Sequence, residues 1–464
     1  MTYVAGIDSS TQATKVVVCD AETGVEVASA RAPHPDATEI DPRIWWDAYL
    51  AASSAVDVPI EAIAVGGQQH GMVALDASGE VVRPALLWND VRSARDADDL
   101  IAEMGGAQRW ARTVGSVPVA SFTVTKLRWL ARNEPDAMAR VSSVMLPHDY
   151  ITSRLLGDRQ ATTDRGDASG TGYWSPFDGT YRHDIIELAA GKLVAVPDVV
   201  DPSHVVGRTE DGVVVAAGTG DNMAAALALD LVPGDVLVSL GTSGTACAVS
   251  STPIADPTGY VAGFADATGR FLPLVCTLNA ARVLDTVAAM LGTDLRGFER
   301  LVSTAPAGAE GVVMLPYLDG ERTPNIPDAT GTFTGLTRSN MSASNLARAA
   351  VEGMMCGLLD GVDALKAQGL AVERVLLVGG AAASEAVREV AACTFDVPVF
   401  APEPAEYVAR GAARQAAWAL SGAMHPPVWP VPLTELPSDG AHETGPVLRA
   451  RYAAARDAYL AAKG

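Results

Sequence analysis

A single carboxylate followed by an amide, Asp221 and Asn222, interrupts a run of small and apolar residues, "AAGTGDNMAAALALD" (216–230). A strand-like stretch precedes the pair and an alanine-rich, helix-like stretch follows it, which predicts a strand-to-helix turn. Aspartate at such a turn has two compatible interpretations. It is a favoured helix N-cap, and, because a helix N-terminus favours the ionised carboxylate, it is also suited to accept a proton as a general base.

Two polar turns have the composition of phosphate-binding loops. The segments "DSSTQATK" (8–15) and "GTSGT" (241–245) each join two apolar strands, and their N–H groups and hydroxyls could surround phosphate oxygens. Asp8, at the end of the first strand, could orient Mg²⁺ through its waters and is the second candidate for a catalytic carboxylate. Both segments could equally be ordinary tight turns, since neither matches a P-loop or a dinucleotide-binding fingerprint.

The segment "GQQHG" (67–71) places Gln69 and His70 among glycines. Gly66, Gly67 and Gly71 suggest that the backbone approaches another group closely here. A lone histidine at a strand end is often a hydrogen-bonded structural residue, and the alternative is that His70 contacts a polar ligand. The tripeptide "RGD" (165–167) is too short to indicate adhesion.

The elements that carry these residues occur twice. The hairpin-like segments 3–20 and 235–251 share one layout, and 60–76 and 372–387 each contain a buried strand ending in Gly-Gly. Strand and helix signals alternate after each hairpin, which predicts two α/β halves. Pro233 and Gly234 interrupt the pattern near the join, so we predict domains at 1–231 and 232–464. A core helix is expected at about 344–368, a connector at 425–432 and a closing helix at the end.

Composition excludes several classes of protein. The chain has 464 residues, 48% of them hydrophobic and 19% charged, and a formal net charge of -21, which predicts globular domains. The acidic balance argues against nucleic-acid and membrane partners. Five scattered cysteines indicate reduced thiols, and with no signal-peptide pattern or long apolar stretch the chain is expected to be soluble and cytoplasmic. The oligomeric state is left open, with a homodimer compatible with the sequence.

The motifs taken together resemble the FGGY family of carbohydrate kinases. The resemblance rests on the paired turns, on "GQQHG", "GTGDN" (218–222) and "VGGAAASE" (378–385), and on "SFTVTKLRWLARN" (121–133) and "GTFTGLTRSNMSASNLARAAVE" (331–352), all in the order of the family. It implies an α/β fold of two actin-like, ribonuclease-H-like domains with a cleft between them. The first domain would bind mainly the sugar and the second mainly ATP, with Mg²⁺ as the metal.

The resemblance also assigns roles to individual residues. Thr11, Gln12 and Lys15 fall in the first phosphate loop, Gly241, Thr242 and Ser243 fall in the second, and Gly379 and Gly380 match glycines beside the adenosine. Gln69, His70, Asp221 and Asn222 fall at the sugar site, with Asp221 in the place of the catalytic base.

The resemblance further suggests an acceptor. Within the family, "GQQHGMVALD", "RPALLWND" and "LPHDYITSRLLG" look most like the members that phosphorylate D-xylulose. The alternatives are a kinase for another ketose or polyol, such as ribulose, sedoheptulose, xylitol or glycerol, or an actin- or chaperone-like nucleotide switch. The first alternative stays open because discrimination depends on a few hydroxyl contacts.

Overall fold

The computed structural model describes residues 1–35, 37–157, 161–437 and 441–463, and the side chains of 441–443 and 463 are not described. The chain forms two compact units. Unit 1 contains residues 1–231, 250–273 and 405–431, and unit 2 contains 232–249, 274–404 and 432–464. The division predicted from the sequence, 1–231 and 232–464, is continuous, whereas these units are not, because two later segments pack with the first 231 residues.

The elements up to residue 231 are β1 (Tyr3–Ser9), β2 (Ala13–Asp20), β3 (Glu26–Pro33), β4 (Glu39–Ile40), α1 (Arg43–Ser54), β5 (Ala62–Gly67), β6 (Val73–Leu75), β7 (Ala85–Leu86), α2 (Ala94–Glu103), α3 (Ala107–Val114), α4 (Thr123–Asn133), α5 (Pro135–Arg140), β8 (Ser143–Met145), α6 (Pro147–Leu155), β9 (Thr162–Asp164), α7 (Arg165–Ser169), β10 (Trp174–Ser175), β11 (Thr180–Tyr181), α8 (His183–Ala190), β12 (Asp198–Val200), β13 (Val205–Arg208), β14 (Val214–Ala216), β15 (Thr219–Gly220) and α9 (Asp221–Ala228).

The later elements are β16 (Gly234–Leu240), β17 (Gly244–Ala248), β18 (Ala262–Ala265), β19 (Phe271–Thr277), α10 (Ala281–Met290), α11 (Leu295–Thr304), β20 (Val313–Leu315), β21 (Thr332–Thr334), α12 (Ala343–Ala367), β22 (Val372–Val378), α13 (Glu385–Thr394), β23 (Val399–Pro402), α14 (Tyr407–Ser421), β24 (Leu433–Glu435) and α15 (Ala441–Lys463). Both predicted hairpins, the long helix α12 and the closing helix α15 are therefore confirmed.

The two units repeat one strand arrangement. In unit 1 the sheet order is β13-β14-β5-β1-β2-β3, with β15 also paired to β5, and β1 is antiparallel to β2 and parallel to β5. In unit 2 the order β19-β17-β16-β22-β23-β24 places β16 antiparallel to β17 and parallel to β22. The repeat predicted from the sequence is thus a repeat of strand topology.

Both faces of the central strands β1, β2 and β5 are buried, as their near-continuous apolar sequences require. Along β1, side chains alternate between the faces. Ile7 belongs to the apolar cluster that contains Trp45 of α1 and Ile151 of α6, whereas Val4 belongs to a second cluster formed with the alanines of α14.

Helix α14 reaches the sheet and α9 at backbone distance because glycines lie at the contacts. A Cβ atom on Gly6 of β1 would lie 1.8 Å from the carbonyl oxygen of Ala409, and one on Gly411 of α14 would lie 1.8 Å from the carbonyl oxygen of Ala224 in α9. Only hydrogen fits at both positions. This packing fixes the starts of α14 and α9 relative to the end of β1.

Candidate active site

Asp221 is the first residue of α9 and follows directly on the short strand β15. The N-cap position belongs to Gly220, and no side chain caps the helix there, so the interpretation of Asp221 as N-cap is wrong. Its Oδ1 instead accepts hydrogen bonds from the backbone N–H of Asn222 and from Asn222 Nδ2, each at 2.8 Å. Asp221 keeps partial contact with solvent, which leaves the carboxylate accessible to a substrate.

Asp8 and Lys15 lie opposite each other on β1 and β2. Lys15 Nζ is 3.2 Å from Asp8 Oδ2 and donates a 2.6 Å hydrogen bond to Oε2 of Glu406, the residue immediately before α14. The antiparallel register of the hairpin therefore pairs the two residues that the sequence analysis separated into a phosphate ligand and a metal-orienting acid. Nothing near Glu406 in the sequence signalled its part in this cluster.

The carboxyl groups of Asp8 and Asp221 interact, and both have raised pKa values. Burial raises the pKa of Asp8 to about 6, although Lys15 opposes the shift. Burial raises the pKa of Asp221 to about 7, and the negative charge of Asp8 adds to it. The expectation that a helix N-terminus would favour the ionised form is therefore wrong, because burial and a like charge outweigh the helix dipole. A carboxylate with a pKa near neutrality is well matched to general base catalysis.

Gln69 and Asn222 join this cluster through a hydrogen bond. Asn222 Nδ2 donates to Gln69 Oε1 at 3.1 Å while it also donates to Asp221 Oδ1. Gln69 is buried, with 4% of its surface exposed. The structure thus brings Gln69, Asn222 and Asp221 into one continuous polar surface, although Gln69 and Asn222 are 153 positions apart in the sequence.

His70 is held in one orientation by several contacts. Its φ of 67° lies in the left-handed region, which is uncommon for a residue other than glycine. Nδ1 is 2.7 Å from the carbonyl oxygen of Gly170, so this nitrogen carries the proton. The ring stacks on Phe122 at a centroid distance of 4.8 Å and lies 5.6 Å from Phe264. Neither aromatic residue was predicted from the sequence.

A fully buried polar cluster that the sequence analysis also missed lies beside these residues. His148 Nδ1 is 2.6 Å from Asp167 Oδ2, and its Nε2 is 3.2 Å from Asp149 Oδ1. Burial alone would lower the pKa of His148, but the charges of Asp149 and Asp167 outweigh it and raise the pKa to about 9. The "HD" of "LPHDYITSRLLG" and the "RGD" tripeptide therefore supply a protonated histidine between carboxylates.

The first polar turn joins β1 to β2, and its residues differ in exposure. Gln12 is exposed and Thr11 is partly buried, and the indole Nε1 of Trp88 donates a 2.9 Å hydrogen bond to Thr11 Oγ1. Trp88 comes from "RPALLWND", so that segment supports the turn.

The second polar turn, 241–243, joins β16 to β17 in unit 2 and borders a cavity of about 460 Å³. Gly241, Thr242 and Gly380 contribute to its wall together with apolar side chains such as Leu284 and Phe298. An apolar cavity of this size beside a polar turn suits a heterocyclic ring linked to phosphate groups.

The two predicted adenosine glycines have different surroundings. Gly379 has a φ of 96°, and a Cβ there would lie 2.6 Å from the backbone of Leu240, so the fold itself requires this glycine. A Cβ on Gly380 would meet no protein atom within 4 Å, which places Gly380 at the open surface of the cavity. A side chain at position 380 would therefore extend into the cavity.

Direct metal coordination has no ready-made site in the described part of the chain. Within those ranges, no three His, Cys, Asp or Glu side chains are grouped so that they could hold a metal ion. Asp8 Oδ1 is nevertheless buried without a hydrogen-bond partner in the same ranges, and such an atom fits an interaction with a water of a hydrated cation.

Comparison with known proteins identifies the family. Residues 3–228 match the N-terminal domain of the FGGY family of carbohydrate kinases, and residues 236–420 match its C-terminal domain. The chain belongs to the FGGY family of carbohydrate kinases. The predicted family and the enzyme class, an ATP-dependent sugar kinase, are confirmed.

Individual relatives of this kinase are named for one sugar. The chain is 50% identical to "Xylulose kinase" of Streptomyces coelicolor over 435 residues, covering 90% of this chain and 88% of that protein, and 47% identical to "Xylulose kinase" of Streptomyces rubiginosus with the same coverage. The crystal structure of xylulose kinase from Bifidobacterium adolescentis superposes with a TM-score of 0.87 at 41% identity over 98% of this chain and 99% of that one. The predicted two-domain, actin-like fold is confirmed.

The predicted site residues of the kinase form two groups. Unit 1 contains Asp8, Thr11, Gln12, Lys15, Gln69, His70, Asp221 and Asn222, whereas unit 2 contains Gly241, Thr242, Ser243, Gly379 and Gly380. Among the described residues, no helix combines the length and apolarity needed to cross a bilayer.

Proposed function

We propose that the kinase transfers the γ-phosphoryl group of ATP to D-xylulose, giving D-xylulose 5-phosphate and ADP. The identity of 50% with a xylulose kinase over nearly the whole chain is the observation that carries this proposal. The geometry supports it, because the partly exposed carboxylate of Asp221 lies next to the amide of Asn222, which also contacts the amide of Gln69, and such groups are suited to binding sugar hydroxyls.

Asp221 is the general base of the proposed reaction. As the terminal hydroxyl oxygen of the sugar attacks the γ-phosphorus, its proton passes to the carboxylate, and the bond from the γ-phosphorus to the β,γ-bridging oxygen breaks. Most catalysis in phosphoryl transfer comes from positioning and from neutralising charge. Asn222 helps to position the base, since both of its hydrogen bonds to Asp221 use the same carboxylate oxygen and leave Oδ2 to face the hydroxyl.

Lys15 and Asp8 are the residues of unit 1 that interact with the charges of the phosphates and of Mg²⁺ in the proposed reaction. Lys15 can contact phosphate oxygens from β2, next to the first turn, and Asp8 would hold a water of Mg²⁺ through its unpartnered Oδ1. When bound, Mg²⁺ neutralises phosphate charge. Asp8 also holds Lys15 in place through their ion pair.

ATP binding is assigned mainly to unit 2 and sugar binding mainly to unit 1. The cavity beside Thr242 and Gly380 has the volume and apolar walls for adenosine, and the turn 241–243 is placed for the phosphates. We assign the protein to the cytoplasm, where ATP is available and where its five cysteines, all buried and none in a disulfide, would stay reduced.

The proposed function predicts that ATP is consumed only when a sugar acceptor is present. ADP release measured by a coupled assay should rise by roughly tenfold or more when D-xylulose is added, because water is a poorly positioned acceptor. Ribulose, sedoheptulose, xylitol and glycerol serve as matched acceptors. A larger kcat/KM with one of them would make that compound, and not D-xylulose, the proposed substrate. Equal rates of ADP release with and without every sugar would support the nucleotide switch instead.

His70→Asn is expected to raise the KM for the sugar by about tenfold, because the shorter amide cannot make the hydrogen bond of the imidazole and only the sugar site is changed. Asparagine tolerates the left-handed backbone of residue 70, so the backbone should be preserved. The KM for ATP, measured on the same preparation, should stay within about twofold. A folded variant with unchanged sugar kinetics would show that His70 is a structural residue packed on Phe122.

A further inference from the structure

The buried cluster around His148 lies directly under the proposed sugar site. A Cβ on Gly67 would lie 2.7 Å from the Cβ of His148, and one on Gly218 would lie 2.8 Å from its Cδ2. The imidazole is therefore enclosed between the ends of two segments, one leading into Gln69 and the other into Asp221. His148, Asp149 and Asp167 have no exposed surface, so none of them can contact the sugar itself.

Asp167 connects this cluster to Gln69. One carboxylate oxygen, Oδ2, faces Nδ1 of His148. The other, Oδ1, and the amide nitrogen Nε2 of Gln69 are both buried without a hydrogen bond of normal geometry to any described residue. Burial raises the pKa of Asp167, and interactions with His148 and with the Gln69 side chain oppose that rise. Gln69 thus has Asp167 on its nitrogen side and Asn222 on its oxygen side.

The two ends of this chain of contacts fix the direction of every hydrogen bond in it. An ionised carboxylate only accepts hydrogen bonds, whereas an amide side chain has one accepting and one donating end. Because Asp167 interacts with the Gln69 side chain and can only accept a hydrogen bond from it, the amide nitrogen of Gln69 must face Asp167 and its oxygen must point to Asn222. Asn222 then donates to Gln69 and also to Asp221, the second carboxylate. Rotating either amide by 180° would set two donors or two acceptors against each other.

We propose that the His148–Asp167 pair is a positioning device that locks the amide of Gln69 in one orientation and so determines which sugar hydroxyls the site accepts. His148 keeps Asp167 charged and oriented, Asp167 orients Gln69, and Gln69 presents its amide to the acceptor. This inference rests on the proposed function, since it assumes that Gln69 contacts the sugar. It names Asp167 as a residue that determines specificity without touching the substrate.

The test is whether Asp167→Asn restores the kcat/KM for the sugar that Gln69→Glu lowers. The single variant Q69E sets a second carboxylate against Asp167, so the KM for the sugar should rise by at least about tenfold. In Q69E/D167N, the new amide at position 167 can accept from His148 and donate to the new carboxylate at position 69. Asn222 donates to the other oxygen of that carboxylate. The double variant should therefore recover about tenfold or more in kcat/KM for the sugar relative to Q69E.

The matched control is Asp149→Asn in the Q69E background. Asp149 faces the opposite nitrogen of His148, so its replacement removes the same charge from the same cluster without changing a neighbour of Gln69. Q69E/D149N should stay as impaired as Q69E. Equal recovery with D149N and D167N would overturn the proposal, because it would show a general effect of charge, and no recovery with D167N would overturn it as well.

A second variant keeps the test decisive if Q69E does not fold. Asp167→Ala in the otherwise unchanged protein should raise the KM for the sugar by about tenfold and leave the KM for ATP within about twofold. Equal changes in both KM values, or in neither, would contradict the positioning role. A wild-type protein without sugar kinase activity would instead refute the proposed function, so the two failures are distinguishable.

Discussion

Asp221→Asn should yield a normally folded protein that binds ATP and turns over about 10² to 10⁴ times more slowly than the wild type, since asparagine cannot accept the proton of the attacking hydroxyl. The amide oxygen introduced at position 221 can still accept the hydrogen bond that the Asn222 N–H donates in the wild type, and the turn and cavity of unit 2 are untouched. The measurements are kcat with the acceptor sugar, nucleotide titration and thermal unfolding.

The thermal stability of the Asn variant distinguishes a catalytic base at position 221 from an aspartate that only stabilises the fold. The pKa of Asp221 is raised to about 7 in the folded protein from an ordinary value of 3.8, so the stability associated with the neutral carboxyl is lost as the pH rises between these two values. At a pH about one unit above the raised pKa, the Asn variant should therefore unfold at the same or a higher temperature than the wild type. In the wild type, kcat/KM for the sugar should fall as the pH is lowered through about 7. Near-normal turnover in the Asn variant would show that another residue is the general base, and Asp8 would be the next candidate.

Gly411→Ala is expected to have the second largest effect, although no site residue is changed. Its Cβ would lie 1.8 Å from the carbonyl oxygen of Ala224, so α14 and α9 must separate. Overpacking of this kind costs about 1–3 kcal/mol in the free energy of unfolding. Since α9 begins with Asp221, a shift of about 1 Å should also lower kcat on the order of 10²-fold. Denaturant unfolding and turnover should both show the loss.

The matched control for this substitution is Gly357→Ala in α12. A Cβ at Gly357 would lie 3.5 Å from the hydroxyl of Tyr452, an ordinary contact in the interior of another helix. Alanine should therefore be neutral or stabilise the protein by about 0.4–1 kcal/mol, with unchanged turnover. Equal behaviour of the two variants would show that the close packing of α14 on α9 does not position the base.

Local patterns predicted the parts of the site that depend on neighbouring residues. Alternating apolar residues around small polar turns identified both hairpins, and the start of α9 was visible in the change from strand-like to alanine-rich sequence. Asp8, Asp221 and the Gln69–His70 pair each lie at the end of a strand, where parallel pairing brings side chains to one edge of the sheet. The family resemblance then supplied roles that the patterns alone left open.

The rest depends on contacts between distant segments. Glu406 reaches Lys15 across 391 positions, and no local pattern reports such a pairing. The role of Asp221 as N-cap failed because propensity does not show which residue actually takes the helical backbone angles. Its ionisation was misjudged because burial and the charge of Asp8 are tertiary effects. His148 and Asp167 were missed since a buried histidine has no distinctive sequence pattern.

The discontinuity of unit 1 has a consequence for how the protein is made. The strand face that carries Val4 is covered by alanines of α14, and α14 begins only at residue 407. At elongation rates of about 5–20 residues per second, this face stays uncovered for on the order of 10 s between the synthesis of residue 231 and that of α14. During that time the nascent unit exposes an apolar sheet surface and lacks Glu406. A fragment ending at residue 231 should accordingly aggregate unless the segment 405–431 is supplied to it.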